Sequence, residues 1–275
     1  MINYDKWINE AIAELRWYID RYQLKSVVLG LSGGIDSTVS AAICHLVCKD
    51  IPDVTFIGRS LPIVNPSEEK DIASMVGNKL CDDFQTVPMK EIYTSYRNFF
   101  YINEEESKAN NIADGNMMAR LRMIYLYQLA SHYKGIVIDT DNATEHILGF
   151  YTIHGDVGDY NVGIRNLYKH EIWELAERLK SYIPKASDAI QASINLQPTD
   201  GNTGGTDMDQ IAPGATYKDV DTVCASMLDR HLYLNAIKEY GVDFVDNIER
   251  RVVRNEYKDH LPYTSKLMDR KEFLV

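Results

Sequence analysis

One short stretch of the chain, VVLGLSGGIDS from Val27 to Ser37, limits most strongly how the chain can fold. The apolar residues before its loop do not alternate with polar ones, which is typical of a strand covered on both faces in a parallel sheet. Gly33 and Gly34 leave backbone amides uncovered and permit positive φ, so that successive N–H groups can point into one concavity. A helix that begins after the loop adds the partial positive charge of its N-terminus. The stretch therefore predicts a strand, an anion-binding loop and a helix.

This loop differs from two common phosphate-binding sequences. No lysine stands where GxxxxGK[ST] requires one, and the order of its glycines is not that of GxGxxG. Its hydroxyl donors are Ser32, Ser37 and Thr38, and its carboxylate belongs to Asp36. Because a carboxylate repels phosphates unless a cation lies between them, Asp36 indicates Mg²⁺, which binds a few carboxylates together with phosphate oxygens. The alternative is a plain turn without a ligand, for which two serines and an aspartate are an unusual composition.

Strand and helix patterns alternate along the rest of the chain. Short apolar runs predict strands at Ser26–Leu31, Val54–Ile57, Asp83–Val87 and Gly135–Asp139. Helical periodicity predicts helices at 4–22, 38–48, 66–80, 104–133 and 169–180, the fourth of them capped by Gly135. We therefore expect an α/β fold with a doubly wound, mostly parallel sheet and helical additions at both termini. Ligands of such sheets bind beyond the carboxyl ends of the strands.

The segment QPTDGNTGGTDMDQIAPG, residues 197–214, is long, polar and nearly free of apolar side chains. Two interpretations stay open, a disordered surface loop and a mobile lid, and both hold if the segment orders only over a ligand. Helical patterns resume at Tyr217 and continue to Tyr257, so we expect a helical C-terminal part over about 216–275. One domain is expected to span 1–275.

The composition excludes several classes of protein. The 275 residues carry a net charge of −11, which argues against general nucleic-acid binding because that function uses a basic surface. No apolar run approaches the roughly 20 residues of a membrane span, and the first residues lack the apolar region of a signal peptide. The four cysteines, Cys44, Cys48, Cys81 and Cys224, lack the spacing of a metal site, and we expect buried, reduced thiols in a cytoplasmic protein.

The strand, the SGGIDS loop and the helix together resemble the pyrophosphate loop of the ATP pyrophosphatase superfamily. The resemblance implies the adenine nucleotide α-hydrolase-like fold. It also implies an enzyme that cleaves ATP between its α and β phosphates and adenylates an acceptor, from which a nucleophile then displaces AMP. The loop would hold the departing pyrophosphate.

Three further stretches are similar to the NAD synthetase family within that superfamily. They are NMMARLRMIYLYQLA (116–130), GIVIDTDNATEHILGFYTIHGD (135–156) and LYKHEIWELAERL (167–179), and the similarity runs from about residue 25 to 262. The resemblance implies amidation of deamido-NAD with ATP, Mg²⁺ and ammonia, by a homodimer that binds neither nucleic acid nor membrane. Glutamine-using members carry an additional amidohydrolase domain, for which this chain has no room, so we expect free ammonia or a separate partner to supply the nitrogen.

The resemblance also assigns residues to the ATP side of the site. Asp36, Glu145 and Lys169 would be catalytic, with Asp36 and Glu145 as the Mg²⁺ ligands. The residues that would bind ATP are Gly30, Leu31, Ser32, Gly33, Gly34, Asp36, Ser37, Arg122, Thr140, Lys169 and Thr199. Thr199 lies in the polar segment, which supports its interpretation as a lid.

On the deamido-NAD side the chain departs from the family pattern. The residues that would bind this acceptor are Asn116, Arg120, His154, Asp156, Asp159, Tyr257 and Lys258. The family has lysine in a TKFGD stretch that reads TIHGD here, with Ile153 and His154, and it has histidine where Tyr257 stands. The acid that follows GD is shifted, so that Asp159 or Tyr160 would fill its place. Chemistry on ATP is therefore more firmly indicated than the acceptor.

Two other functions fit parts of the sequence. Another enzyme of the superfamily, similar to GMP synthetase or to enzymes that modify tRNA, would adenylate a different acceptor. The acidic charge opposes the tRNA enzyme. A regulatory nucleotide-binding protein would have lost its catalytic acids, whereas Asp36 and Glu145 are present.

Overall fold

Five parallel strands form the centre of the computed structural model, which describes residues 2–101, 111–199, 206–227 and 230–260. The strands are β1 (Ser26–Gly30), β2 (Thr55–Ser60), β3 (Asp83–Thr86), β4 (Gly135–Asp139) and β5 (Tyr160–Asn161). Their order across the sheet is β3-β2-β1-β4-β5, and every neighbouring pair is parallel. The chain reverses its direction of winding between β1 and β4, and in a doubly wound sheet this is where a ligand crevice opens. The predicted fold class is confirmed.

Helices connect the strands and extend the chain beyond the sheet. The α-helices described are α1 (Tyr4–Tyr22), α2 (Ile35–Cys48), α3 (Ser67–Leu80), α4 (Lys90–Phe100), α5 (Asn111–His132), α6 (Ala143–Leu148), α7 (Lys169–Tyr182), α8 (Ser187–Asn195), α9 (Asp207–Ile211), α10 (Tyr217–Ser226), α11 (Arg230–Tyr240) and α12 (Val242–Asn255). Short 3₁₀ helices occur at Ile164–Asn166, Pro184–Ala186 and Glu256–His260. Within the described ranges, no helix is both long and apolar enough to cross a bilayer.

Alternate residues of β1 point into two different cores. Val27 and Leu29 pack with α1, α2, α3, α7 and α8 on one face of the sheet, whereas Val28 packs with α5 on the other. Both faces are thus covered, which explains why the strand is apolar throughout. A third core, which includes Leu148, Val220 and Val245, joins α6 to the helices from α9 to α12. This third core places the C-terminal helices beside the β4 edge of the crevice.

Several predicted boundaries were wrong, each for a local reason. Helix α2 begins at Ile35, three residues before the prediction, because Gly34 takes an extended conformation as N-cap and Ile35 is already buried. Gly135 does not cap the preceding helix. That helix ends at His132, Lys134 takes the positive φ of 55°, and Gly135 opens β4. There a Cβ atom would lie 2.3 Å from the backbone oxygen of Ser26, so glycine is required by the close approach of the strands.

Other predictions fall partly outside the described residues. The predicted start of the long helix at residue 104 lies in 102–110, and the predicted helical part beyond 260 lies in 261–275, both of which the structure does not describe. Within the polar segment 197–214, the prediction of a loop was wrong for Asp207–Ile211, which forms helix α9 behind the N-cap Thr206. Residues 200–205 are not described. All four thiols are unpaired, and Cys81, unlike the other three, is only partly buried.

Candidate active site

A cavity of about 960 Å³ opens at the carboxyl ends of the central strands. The loop after β1 forms one wall, and α12 contributes to the opposite end. Fourteen residues assigned from the sequence line it: Gly30, Leu31, Ser32, Gly34, Asp36, Ser37, Asn116, Arg122, Thr140, Glu145, Asp156, Lys169, Thr199 and Lys258. The site predicted from separate stretches of sequence is therefore one space.

The glycine loop is held open by hydrogen bonds among its own residues. The Gly34 N–H donates to Ser32 Oγ over 3.1 Å, and Ser37 Oγ donates to the Gly34 carbonyl over 3.0 Å. Gly33 has a φ of 92°, and a Cβ there would lie 2.3 Å from the backbone oxygen of Glu69 on α3. Only glycine fits this position, because both the backbone conformation and the contact with α3 exclude a side chain. The two serine hydroxyls consequently lie beside the N-terminus of α2, where an anion is favoured.

Two carboxylates and one amine form the charged centre of the cavity. Lys169 Nζ lies 2.6 Å from Asp36 Oδ2 and 2.9 Å from Glu145 Oε1, and Lys169 is only 3% exposed. Asn142 Nδ2 donates to the second oxygen of Asp36 over 2.9 Å. These residues come from the starts of α2, α6 and α7, so three helix N-termini converge on one point. This arrangement of two acids around one cation is the main electrostatic feature of the site.

Helix capping fixes the position of Glu145. Asn142 caps α6 by accepting the Glu145 N–H, and Glu145 Oε2 accepts the Asn142 N–H over 3.3 Å in return. The other carboxylate oxygen of Glu145 remains directed at Lys169. The sequence N-A-T-E at 142–145 carries this capping box and could have predicted α6.

The first residues of α7 are anchored by a buried carboxylate on α10. Asp221 accepts the backbone N–H of His170 over 2.9 Å and its ring Nδ1 at 2.7 Å, and it also accepts the Thr144 hydroxyl. Thr144 Oγ1 in turn accepts the Lys169 N–H over 2.9 Å. The position of Lys169 is thus fixed by partners on α6 and α10, which sequence reasoning missed.

Burial and neighbouring charge act in opposite directions at the charged centre. Burial raises the pKa of Glu145 to about 7, against the lowering effect of Lys169, and the Asp36 charge adds to the rise. Burial alone would lower the pKa of Lys169, but Asp36 and Glu145 raise it well above its usual value. Lys169 is therefore a permanent cation that holds the two carboxylates together.

The two carboxylates suit a metal ion as well as an amine. Oxygens of Asp36 and Glu145 already lie within 3 Å of one common cationic atom, so a single ion could reach both. In the described part of the chain, no group of three or more His, Cys, Asp or Glu side chains forms a metal site. Two carboxylates are nevertheless the donor set that Mg²⁺ uses when substrate phosphates and waters complete its shell.

The side of the cavity beyond Lys169 is closed by α9 and α10. The ring of Tyr217 lies 5.3 Å from Lys169 Nζ, and its hydroxyl donates to Asp207 over 2.6 Å. Thr199 donates to Glu69 on α3 over 2.7 Å, which ties the start of the polar segment to the helix beside the glycine loop. Tyr217, Asp207 and Glu69 were not expected from the sequence.

Three residues assigned to the acceptor from the sequence, Asn116, Asp156 and Lys258, also line this cavity. Asn116 Oδ1 accepts the Thr152 hydroxyl over 2.8 Å, and Asp156 accepts the Thr152 N–H. Burial raises the pKa of Asp156. Lys258 Nζ donates over 2.6 Å to the carbonyl oxygens of Gly149 and Tyr151. The segment after α6 is thereby joined to both α5 and the end of α12.

Five predicted residues do not line the cavity. Gly33 packs against α3, Arg120 Nε donates to the Ile153 carbonyl over 3.1 Å, and Tyr257 is exposed. His154 is exposed with a φ of 61°, and Asp159 accepts the Tyr127 hydroxyl over 2.9 Å beside the sheet. Four of these five belong to the acceptor side, where the sequence departs from the family pattern. Their assignment stays a prediction.

Comparisons with known proteins show which family the chain resembles. A model of the NAD synthase family matches residues 7–262. An NH3-dependent NAD(+) synthetase of Chlorobaculum parvum is 31% identical over 259 residues, which cover 93% of this chain and 87% of that protein. An NMN synthetase from Francisella tularensis has a similar structure, with a TM-score of 0.78 at 26% identity, over 97% of this chain and 100% of that chain. An NH3-dependent NAD synthetase from Campylobacter jejuni shares the fold, with a TM-score of 0.74 at 22% identity and the same coverage.

Proposed function

Because the chain belongs to the NAD synthase family, we propose that it converts deamido-NAD, ATP and ammonia into NAD, AMP and pyrophosphate. The observation that carries the proposal is the convergence of Asp36, Glu145 and Lys169 beside the glycine loop. Reaction between two anions, a carboxylate and ATP, requires positive charge at the reacting phosphates. Three features together provide this positive charge: the backbone amides of the loop, the buried ammonium of Lys169, and a pair of acids that suits a divalent cation.

The ATP phosphates lie, in this proposal, between the glycine loop and Lys169. Ser32, Ser37 and the amides of the loop bind the β and γ phosphates, which leave as pyrophosphate. Arg122, which bonds to the Leu61 carbonyl and to Asn65 over 3.1 Å each, and Thr140 at the end of β4 line the nucleotide side of the cavity.

Asp36 and Glu145 are the residues that would hold Mg²⁺. The ion would supply charge neutralisation at the bridging phosphate oxygens. Lys169 would then contact the phosphates instead of lying between both acids, because one point in space cannot hold two cations.

Bond formation occurs in two steps. The nicotinate carboxylate of deamido-NAD attacks the α-phosphorus, the bond to the β-phosphate breaks, and pyrophosphate leaves. Ammonia then attacks the acyl carbon of the adenylate and loses a proton, and the bond to AMP breaks. Water would compete with ammonia, so Thr199 and α9 are proposed to close over the cavity as part of a lid.

We further propose a homodimer that uses the outward faces of α4 and α5. In the described chain no residue of α4 is buried, Phe99 is 83% exposed, and Ile112 on α5 is 75% exposed. Ile112 also lines the cavity. A second copy on this face would therefore cover apolar surface and complete the rim of the site. We place the enzyme in the cytoplasm, where its unpaired thiols stay reduced.

A second acceptor is suggested by the Francisella structure, which is described as an NMN synthetase. The same amidation with the deamido form of NMN would produce NMN. This candidate is considered because the sequence departs from the family pattern at Ile153, His154 and Tyr257, which belong to the stretches assigned to the acceptor. The membership of the family and the named relatives do not favour a GMP-synthetase-like or tRNA-modifying enzyme.

The test measures AMP, pyrophosphate and amidated product with each acceptor, in the presence of ammonia and Mg²⁺. Asp36→Asn removes one carboxylate while it preserves size, and we expect pyrophosphate release to fall at least about 100-fold because transition-state charge is left uncompensated. Asp20→Asn on the exposed surface of α1 is the matched control. Pyrophosphate release that is unchanged in Asp36→Asn would contradict the proposal. Equal turnover of the wild type with glutamine in place of ammonia would contradict it as well.

A further inference from the structure

Helix α12 and the 3₁₀ helix that follows it, Glu256–His260, turn a row of cationic side chains toward the cavity. Arg250, Arg254 and Lys258 recur at intervals of four residues, and Arg251 lies beside them. All four line the same cavity as the glycine loop. Of these four residues, only Lys258 is assigned a role from the sequence, which leaves three arginines to be explained.

Carboxylates in the described residues balance the charges of this row only in part, since Asp156, Asp141 and Asp259 act on Lys258. Arg254 forms no ion pair there, and Arg250 has only a 3.5 Å contact with Asp246. Burial lowers the pKa of Arg251, and the nearby charge of Arg254 lowers it further. Burial and the charge of Arg251 lower the pKa of Lys258 in the same way. A chain with a net charge of −11 has many acids available, so like charges gathered here indicate an anionic ligand.

One guanidinium is also incompletely bonded. Arg251 donates from Nη1 to the Gln210 carbonyl over 2.8 Å, but its buried Nε has no hydrogen-bond partner within the described ranges. The guanidinium of Arg251 lies 5.2 Å from the centre of the Phe150 ring, which fixes its plane. Arg251 therefore adds to the row a positive charge that is held in place by the Gln210 carbonyl and the Phe150 ring.

The row lies on the acceptor side of the cavity. Asn255 Nδ2 donates to the Leu148 carbonyl over 2.9 Å, and Lys258 binds the Gly149 carbonyl. The chain from there runs directly to Thr152 and Asp156. The core that holds α12 contains no residue of the sheet that carries the glycine loop. The row is thus built on a different part of the molecule from the ATP phosphate site.

We propose that Arg250 and Arg254 bind the phosphate groups of the acceptor, with Arg251 and Lys258 completing the cationic row. The inference rests on the proposed function and adds to it the residues that select a phosphorylated acceptor. Deamido-NAD and the deamido form of NMN share this chemistry, because each carries phosphate on a nicotinate riboside. The arginines determine acceptor affinity, whereas Asp36, Glu145 and Lys169 act on ATP.

The experiment compares Arg250→Ala/Arg254→Ala with Arg21→Ala/Lys238→Ala, which removes the same charge from exposed positions on α1 and α11. Binding of each acceptor is measured by calorimetry without ATP, at two salt concentrations, and KM values are measured with ATP and ammonia. In the first variant we expect the acceptor Kd and KM to rise about tenfold or more, with a weaker dependence on salt. The KM for ATP and kcat at saturation should stay within about twofold, and the control should match wild type in every value.

The possible outcomes distinguish a failure of the arginine assignment from a failure of the proposed amidation reaction. Three results for Arg250→Ala/Arg254→Ala would each overturn the assignment. They are an unchanged acceptor affinity, a rise in the KM for ATP alone, and equal rises in the KM values of ATP and acceptor. Arg250→Lys/Arg254→Lys, which keeps the charges, should recover part of the affinity and shows whether a loss came from misfolding. A wild-type chain that binds an acceptor through these arginines but makes no amide would refute the reaction only.

Discussion

At the scale of single residues, the amine of Lys169 holds together two carboxylates that would otherwise repel each other. Lys169→Met removes the cation but keeps most of the side-chain volume. Unpairing buried charges costs about 3–5 kcal/mol, so the variant should unfold at lower temperature without Mg²⁺. Because Asp36 and Glu145 are then free, Mg²⁺ should raise its Tm more than it raises that of wild type.

The control for this prediction is Lys6→Met on α1, where the lysine pairs with Glu10 at the surface. Its Tm should change little with or without Mg²⁺, since a surface ion pair contributes about 0–1 kcal/mol. A Mg²⁺ response of Lys169→Met no larger than that of wild type would show that the two acids do not form a cation site.

Gly33 gives a second test at this scale. Its backbone strain can be separated from its steric contact with α3 by comparison with a second glycine that has a similar φ but no such contact. Gly33→Ala places a methyl group on a residue with a φ of 92° and about 2.3 Å from the Glu69 backbone. Gly241→Ala, at a φ of 86°, meets nothing within 4 Å. Backbone strain alone costs about 1–3 kcal/mol, whereas the contact at Gly33 must also displace α3.

We therefore expect Gly241→Ala to lower the unfolding free energy by about 1–3 kcal/mol and to keep activity. Gly33→Ala should lose more stability than that and should raise the KM for ATP. Denaturant unfolding and steady-state kinetics measure both effects. Equal losses of stability in the two variants would show that the loop does not depend on close contact with α3.

At the scale of elements, the start of α7 depends on a carboxylate from α10. Asp221→Asn leaves one acceptor oxygen for three donors, two on His170 and one on Thr144. Buried donors without partners cost about 1–3 kcal/mol, so both stability and the position of Lys169 should suffer. We expect kcat to fall about tenfold, since a small misplacement of a charged group is costly in catalysis, with a smaller change in the acceptor KM.

Thr222→Ala is the control for this prediction, because Thr222 is exposed on the same helix, where its hydroxyl donates to the Lys218 carbonyl and also bonds with Tyr240, away from the start of α7. It should retain both kcat and Tm. A full kcat in Asp221→Asn would show that α6 alone positions Lys169.

The elements also show what sequence can predict. The strand β1 and its loop were predictable because burial on both faces leaves an uninterrupted apolar run, and the order of motifs brought Asp36 and Glu145 to adjacent strand ends. Helix α4 was missed although Ile92, Tyr96 and Phe99 recur along it at helical spacing, so this element could have been predicted from the sequence. The contact of Lys169 with Asp36 joins residues 133 positions apart, and no local pattern encodes such a contact.

At the scale of the whole molecule, α4 has an apolar side that the described part of the chain leaves exposed. It carries Ile92, Tyr96, Phe99 and Phe100, and Ile124 extends the surface onto α5. Exposed apolar patches of this kind mark association sites, and a twofold axis would pair the patch with itself. Because Ile112 joins this side of the molecule to the cavity, association should also affect catalysis.

Phe99→Glu tests this association by placing a charge within the proposed interface. We expect sedimentation equilibrium to give a dimer for wild type and a monomer for the variant, since burying an unpaired charge costs several kcal/mol. The acceptor KM should rise in the variant as the rim of the site opens. Trp17→Glu, on an aromatic residue of α1 that is 56% exposed, should stay dimeric and active. A wild type that sediments as a monomer at micromolar concentration with full activity would mean that one copy contains the complete site.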